Sequence, residues 1–308
     1  MTVEKFTAKI GLNVAPGQPS DLAMSILRDR LELEFDGKVE LQIFPSSQCG
    51  NELTMIESVR DGTLEMIVTS TSPLGVLCPE FMVFDLPFLF PSSEIVDNLL
   101  DGSIGEEMAA NLTKLNVVPL AWWKHGIRRI SNRFRPITDI EDVKNLKIRT
   151  MHNTIHETYF SYLGAIPVPT ALSDLYLALK NQEVDAQETP LSIYMNNKYY
   201  SLQKYLMINE YVHTPALVLA NRDWFKSLPL TLQKFISEHV FDLRIFQREV
   251  GREQTKAYLE KLRLVGVELT LLNEIQQEAF VETANQIYPL FENQIGSILL
   301  EKIRMNAV

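Results

Sequence analysis

Apolar residues along the first half of the chain alternate between a two-residue and a three-to-four-residue rhythm. Phe6 to Asn13 reads as a strand. Residues 20–35 set Ala23, Leu27 and Leu31 four apart, as one face of a helix requires. Val39, Leu41 and Ile43 alternate up to Pro45, a strand pattern, and residues 51–61 form a helical pattern closed by Asp61-Gly62. Glu65 to Ser70 is strand-like. Ser103 with Glu106 has the spacing of a capping box opening a helix to Lys114, and Val117 to Trp122 follows as a strand. Strands separated by helices predict an α/β fold with a mainly parallel sheet covered on both faces.

The second half continues in this style. Gly126 to Ser131, Lys147 to Thr150 and Val184 to Gln187 read as short strands. Residues 206–212 and 215–220 read as two more. Thr138 and Glu141 have capping-box spacing. Helices are expected from about Ile155 to Leu163, stopped by Gly164, and from Thr170 to Leu179. From Leu228-Pro229 to Gly266 the only breaker is Gly251, so one helix of about 30 residues and roughly 45 Å is expected. Residues 274–303 carry a final amphipathic helix with interruptions expected at Pro289 or Gly296. A chain of 308 residues exceeds one small core and suits two lobes, which the long helix would span.

The composition, 46% hydrophobic and 22% charged, is that of a globular protein. The formal net charge of −10 and the lack of any Lys/Arg run exclude a nucleic-acid-binding stripe. An anionic ligand would have to be attracted by local cations, against the field of the whole chain. Cys49 and Cys78 lack CxxC spacing; they read as isolated buried thiols, with a disulfide between them as the alternative. No apolar run reaches the roughly 18 residues of a membrane span, and the chain opens directly into strand-like sequence with no signal-peptide pattern.

Candidate chemistry is sparse. There is no GxGxxG after a strand, no GxxxxGK[ST] and no GxSxG. His156-Glu157 begins an HExxH pattern that Phe160 breaks, and His152 with His156 makes a weak metal pair. Asp185 and Glu188 are too local to suggest an acid/base pair. No catalytic residue, metal or cofactor is therefore expected. The conspicuous residues are Arg128, flanked by Ile127 and Ile130, and Arg149, beside Ile148 and Leu146. Neither has Asp or Glu within three positions. A guanidinium cannot shed its proton, and burying it unpaired costs several kcal/mol, so a ligand carboxylate is one reading of its partner. An internal ion pair is the other. Alternation points Arg129 and Arg133 toward solvent. Ser70-Thr71-Ser72 follows a strand, where open α/β sheets place ligands. Tyr211 is one of several aromatics suited to floor a pocket.

The segments Gly126-Ile127-Arg128, Ser131-Asn132, Arg135-Pro136-Ile137 and Leu146-Lys147-Ile148-Arg149-Thr150-Met151 resemble the signature of the solute-binding proteins of tripartite ATP-independent periplasmic (TRAP) transporters, of C4-dicarboxylate-binding type. The likeness continues in Leu163-Gly164-Ala165, Ser173-Asp174-Leu175-Tyr176 and Val184-Asp185-Ala186-Gln187-Glu188-Thr189-Pro190. It includes Phe44-Pro45-Ser46-Ser47-Gln48 and Phe84-Asp85-Leu86-Pro87-Phe88, and covers nearly the whole chain. It implies a two-lobed clamshell, residues 1–124 plus 213–252 in lobe I and 125–212 plus 253–308 in lobe II, with the ligand cleft between. The implied site is Arg149 in a bidentate pair with the ligand carboxylate, assisted by Arg128. Asn13 and Ser70, Thr71 and Ser72 would contact the rest of the ligand, with Gln48, His152 and Tyr211 as further polar groups. Two positions depart from the family: Thr189 stands where Asn is usual and Leu172 where an aromatic is usual.

The resemblance implies a periplasmic receptor, not an enzyme, that binds a sugar acid or a hydroxy, keto or dicarboxylic acid as a monomer. It would close around the ligand by hinge motion and deliver it to membrane permease subunits. The alternatives are a lyase- or isomerase-like enzyme using Glu188 or His152, and a ligand-sensing domain of a regulator.

Overall fold

The computed structural model describes residues 5–306; the first four positions of the expected lobe I and the last two of lobe II lie outside the described residues. In chain order the first elements are β1 (Phe6–Leu12), α1 (Pro19–Glu34), β2 (Val39–Phe44), α2 (Glu52–Asp61), β3 (Met66–Ser70) and α3 (Thr71–Leu74). A 3₁₀ segment (Pro79–Asp85), α4 (Ser93–Leu100), α5 (Ser103–Asn111) and β4 (Val117–Asn132) follow. Next come β5 (Lys147–Thr150), α6 (Thr154–Tyr162), β6 (Ile166–Pro169), α7 (Leu172–Lys180), β7 (Ala186–Pro190) and α8 (Leu191–Asn196). The chain ends with β8 (Tyr205–Asn221), α9 (Arg222–Ser227), α10 (Leu230–Leu264), β9 (Glu268–Thr270), α11 (Glu274–Ile295) and α12 (Ser297–Asn306). The fold is mixed α/β, in two compact units: Met1–Cys78, Leu100–His125 and Pro215–Glu253 form one; Pro79–Leu99, Gly126–Thr214 and Gln254–Val308 form the other.

In the first unit β1 lies between β2 and β3 in parallel, and β3 pairs antiparallel with the second half of β8. The alternation of Ala8, Ile10 and Leu12 turns one face of β1 to a core shared with Ala23, Met24, Leu27 and Leu31 of α1, the helix face expected from their spacing. Leu232, Ile236, Val240 and Leu243 of α10 complete this core together with Trp123, whose indole Nε1 donates to the Val240 carbonyl at 3.2 Å. The long helix is further tied by Arg248, which forks onto Asp101 at 2.7 and 2.9 Å.

In the second unit β7 pairs antiparallel with β4 and parallel with β5, β6 lies beyond β5, and the start of β8 pairs with β9. The 3₁₀ segment Pro79–Asp85 packs with α6 and α11. Tyr288 of α11 donates to the Pro87 carbonyl, and the Phe88 N–H donates to Tyr211 O at 2.6 Å. Those contacts explain why Pro79–Leu99 belongs here, although the sequence reading put it in lobe I. A second apolar cluster joins α7 and α8 to Leu262 and Val267.

The long helix is present: α10 has 35 residues, those through Glu253 in the first unit and those from Gln254 in the second. Gly251 is tolerated within it. In the final helical stretch the chain breaks at Gly296 (φ 97°), which ends α11, while Pro289 stays inside that helix. Two pairs of expected short strands are single strands. Val117–Trp122 and Gly126–Ser131 are both β4, and the two segments around Pro215 are both β8. Gly126 makes the first continuity possible: its φ is 150°, and a Cβ there would stand 3.0 Å from Pro190 Cβ. The caps also shift by a residue. Asp139, not Thr138, caps the 3₁₀ turn Ile140–Asp142, in a box closed by Asp142, and Gly102, not Ser103, precedes α5.

Candidate functional site

The pairing of β4 with β7 sets Arg128 opposite Pro190 and Ile130 opposite Glu188. Residues two apart on a strand share a face, so Arg128 and Glu188 are diagonal neighbours across the ladder. The arginine grips the carboxylate with Nε and Nη2; Nη2 lies 2.7 Å from Oε1 and also donates to the Glu188 carbonyl at 2.9 Å. The Tyr211 hydroxyl donates to the same carboxylate at 2.7 Å. His156 brings Nδ1 to 3.4 Å from Glu188 and Nε2 to 3.7 Å from Asp85, which itself accepts from Asn153 at 2.8 Å. All of Arg128, Glu188, Tyr211, His156 and Asp85 are buried. Burial acts to raise the Glu188 carboxyl, but Arg128 and His156 outweigh it and hold it well below the usual carboxylate range. Burial likewise acts to lower the Arg128 guanidinium, and Glu188 reverses this and raises it.

Arg128 is therefore neutralised inside the protein, which corrects its reading as a cation in want of a partner. The acid is 60 positions away and reachable only through strand register. Tyr211 is 1% exposed, and its hydroxyl is committed to Glu188. A carboxylate held so firmly ionised is a poor proton shuttle at neutral pH, which argues against Glu188 as a catalytic acid or base.

Arg149 is in a different state. It sits on β5 opposite Gln187, is 3% exposed, and spends Nε on the Thr170 carbonyl at 2.9 Å. Among the described residues no carboxylate lies within salt-bridge distance of it. Burial pulls its pKa down; Glu188 offsets part of this and Arg128 adds to it, leaving it at about 10 against an ordinary 12.5. Arginine stays protonated at neutral pH. The shift thus measures a penalty for holding the cation, on the order of 3 kcal/mol. An anion arriving at the free Nη groups would relieve it.

Thr189 is buried next to this strand pair, and its Oγ1 has no hydrogen-bond partner among the described residues. Arg129, expected in solvent, is 4% exposed. Alternation along β4 points it away from Arg128, but the opposite face of this sheet is covered too. Leu172 opens α7 and is 44% exposed, and His152 is exposed ahead of α6. In the first unit Asn13 is half-buried after β1, Gln48 is exposed, and Ser70, Thr71 and Ser72 are buried where β3 passes into α3. The Ser70 N–H donates to Glu52 at 2.7 Å, and Thr71 Oγ1 has no partner among the described residues. Neither cysteine forms a disulfide among the described residues; Cys78 is buried and Cys49 only half-buried. Sequence reasoning missed Glu188, His156 and Asp85 as parts of one network. Three consecutive polar residues, Gln187, Glu188 and Thr189, in the short strand Ala186–Pro190 were the available signal for Glu188.

Residues 10–294 match the family model described as bacterial extracellular solute-binding protein, family 7. The chain belongs to this family. The crystal structure of the sugar acid binding protein DctPAm from Advenella mimigardefordensis, in complex with galactonate, superposes with a TM-score of 0.93 at 30% identity, covering 99% of this chain and 98% of that one. A TRAP periplasmic solute binding protein from Polaromonas, bound to D-erythronate, gives a TM-score of 0.90 at 28% identity, covering 97% and 98%. The 2,3-diketo-L-gulonate-binding periplasmic protein YiaO of Escherichia coli is 28% identical over 298 residues, 96% of this chain and 90% of that one. The expected TRAP solute-binding architecture is thereby found, and the family is one of transport receptors. No helix among the described residues is long and apolar enough to cross a membrane.

The two arginines of this family-7 protein respond oppositely to removal. Arg128→Met strands a buried carboxylate and lowers stability by about 3–5 kcal/mol in urea unfolding. Arg149→Met removes an unpaired cation and leaves the ligand-free protein at least as stable as the wild type. Glu188 adds a pH signature. Its folded pKa lies below its unfolded value of about 4.3. Its stabilisation is therefore complete above that value and is lost as pH falls toward the folded pKa. The stability gap between wild type and Glu188→Gln narrows between pH 5 and 3, and a constant gap would refute the assignment.

Proposed function

We propose that the protein is the extracytoplasmic receptor of a TRAP transporter for a sugar acid, and that Arg149 captures the ligand carboxylate. The observation that carries this is a guanidinium 3% exposed with no internal counter-charge among the described residues. Its planar fork suits two parallel hydrogen bonds to a carboxylate in a way a lysine does not. Thr189 would add one donor to that carboxylate. Arg128, already neutralised by Glu188, acts by fixing the strand pair and by presenting Nη1, which donates to no described residue.

Three similar proteins are named for galactonate, D-erythronate and 2,3-diketo-L-gulonate, each an acid on a chain rich in oxygen. Those names support an acid that carries further oxygen atoms along its chain. Asn13, Gln48 and Ser70–Ser72 are assigned to the ligand's hydroxyl groups, with His152 and Leu172 as outlying members of the site. In this reading the protein works as a periplasmic monomer, favours a closed form when loaded, and hands the acid to permease subunits in the membrane.

A thermal-shift screen of sugar acids tests the class: a true ligand at 100 times its Kd adds about 2.7 kcal/mol of stability. For the acid so found, Arg149→Met loses about 2–5 kcal/mol of affinity by calorimetry. Unchanged affinity in that variant would remove Arg149 from the site.

A further inference from the structure

Of the buried tyrosines among the described residues, Tyr199 is the exception. A tyrosine hydroxyl normally finds a hydrogen-bond partner when its ring is buried. Tyr159 donates to the Phe280 carbonyl at 3.3 Å, Tyr194 to the Gln203 carbonyl at 2.6 Å, Tyr211 to Glu188 at 2.7 Å and Tyr288 to the Pro87 carbonyl. Tyr199 is just as buried, at 1% exposed, yet its hydroxyl donates to no described residue. Gln187 Oε1 and Thr189 Oγ1 are unpartnered and fully enclosed; the Tyr199 hydroxyl and the two Arg149 Nη nitrogens are unpartnered without being so enclosed. A sealed ring with an open donor at its tip is a contact offered to something outside the fold.

The donor is held near Arg149. Tyr199 opens the 3₁₀ turn Tyr199–Ser201 after α8, and its ring belongs to the apolar cluster that includes Leu175 and Leu179 of α7 and Leu191 of α8. Thr170, whose carbonyl takes Arg149 Nε, leads into the same α7. A polar chain ties the turn to the sheet. The Gln203 N–H donates to the Tyr199 carbonyl at 2.8 Å, Gln203 Oε1 lies 3.5 Å from Ser131 Oγ, and Ser131 Oγ accepts from Gln187 Nε2 at 2.7 Å. Ser131 on β4 and Arg149 on β5 both stand opposite Gln187 on β7. Directly opposed residues share a face, so the turn that carries Tyr199 is anchored to the face on which Arg149 stands. Burial pushes the Tyr199 hydroxyl up to about 12, and Arg149 acts to lower it. The two side chains thus sense each other's charge, and at neutral pH the hydroxyl keeps its proton and can donate.

We infer that the Tyr199 hydroxyl donates to the carboxylate that Arg149 holds, which makes Tyr199 a further specificity-determining residue of the site. This rests on the assignment of Arg149 to that carboxylate. A carboxylate has about four acceptor positions, and a bidentate guanidinium takes two of them. A phenol suits one of the others. It adds a hydrogen bond to the anion without adding a cation beside Arg149, where Arg128 already makes a buried positive charge harder to hold.

The test is calorimetry and urea unfolding of the full chain, with galactonate, D-erythronate and 2,3-diketo-L-gulonate as probes. Tyr199→Phe removes one oxygen and keeps the ring. It is expected to weaken binding of whichever probe the wild type takes by about 10-fold or more, the size of a hydrogen bond to a charged group. Without ligand, Tyr199→Phe is expected to be at least as stable as the wild type, because no internal bond is lost. Tyr194→Phe, whose hydroxyl does have an internal partner, is expected to be less stable. Unchanged affinity in Tyr199→Phe, where Arg149→Met loses its affinity, overturns the inference alone. So does a loss of affinity that comes with a loss of ligand-free stability as large as that of Tyr194→Phe, since the hydroxyl would then be structural; failure of Tyr199→Phe to fold counts the same way. Unchanged affinity in Arg149→Met overturns the reading of Arg149 and the inference with it. Binding of none of the three probes overturns the sugar-acid reading, and the inference again falls with it.

Discussion

The buried pair between Arg128 and Glu188 decides what the rest of the second unit can do. It consumes Glu188, the carboxylate that the pairing of β7 with β4 brings to Arg128. With Tyr211 and His156 also turned on Glu188, that carboxylate is held ionised and fully engaged. Arg149 is close enough to feel both charges, yet it is left with a backbone carbonyl as its hydrogen-bond partner. The fold thus gives one guanidinium an internal counter-charge and leaves another without one within salt-bridge distance among the described residues. Buried ion pairs contribute little net stability, because desolvation offsets most of the attraction. Their value here is positional: the pair ties β4 to β7 in register and neutralises Glu188 within the protein.

Local chemistry makes that register possible. Gly126 adopts a φ of 150° and lets β4 run as one strand past Pro190. β7 then stands between β4 and β5, so that alternate residues on it face different partners. Glu188 turns to the Arg128 side, where α6 supplies His156. Gln187 and Thr189 turn to the side of Arg149 and Arg129. A single residue of slip would exchange the two faces and pair the wrong arginine.

Elements set by local pattern were legible in the chain. The spacing of Ala23, Leu27 and Leu31 gave the buried face of α1, and the scarcity of breakers after Pro229 gave α10. The isolation of Arg128 and Arg149 in strand-like sequence drew attention to two guanidinium groups that the fold buries. What escaped was every feature fixed by long-range register. Glu188 is 60 residues from Arg128, so a search for a local acid could not find it. Arg129 was assigned to solvent because alternation separates it from Arg128. Alternation distinguishes two faces, and only the fold tells that neither is open to water. Pro79–Leu99 offered no strong periodicity, and its place is set by contacts with α6 and α11.

A binding cycle crossing the protein with the ligand reaches the central claim most directly. It compares wild type and Arg149→Met against the tightest sugar acid and against the uncharged amide of the same acid. If Arg149 stands in deficit for a carboxylate, the substitution is costly for the acid and nearly free for the amide, with a coupling of about 2 kcal/mol or more between the two changes. An equal loss of affinity for acid and amide would show that the arginine acts by shape and not by charge, and would contradict the account.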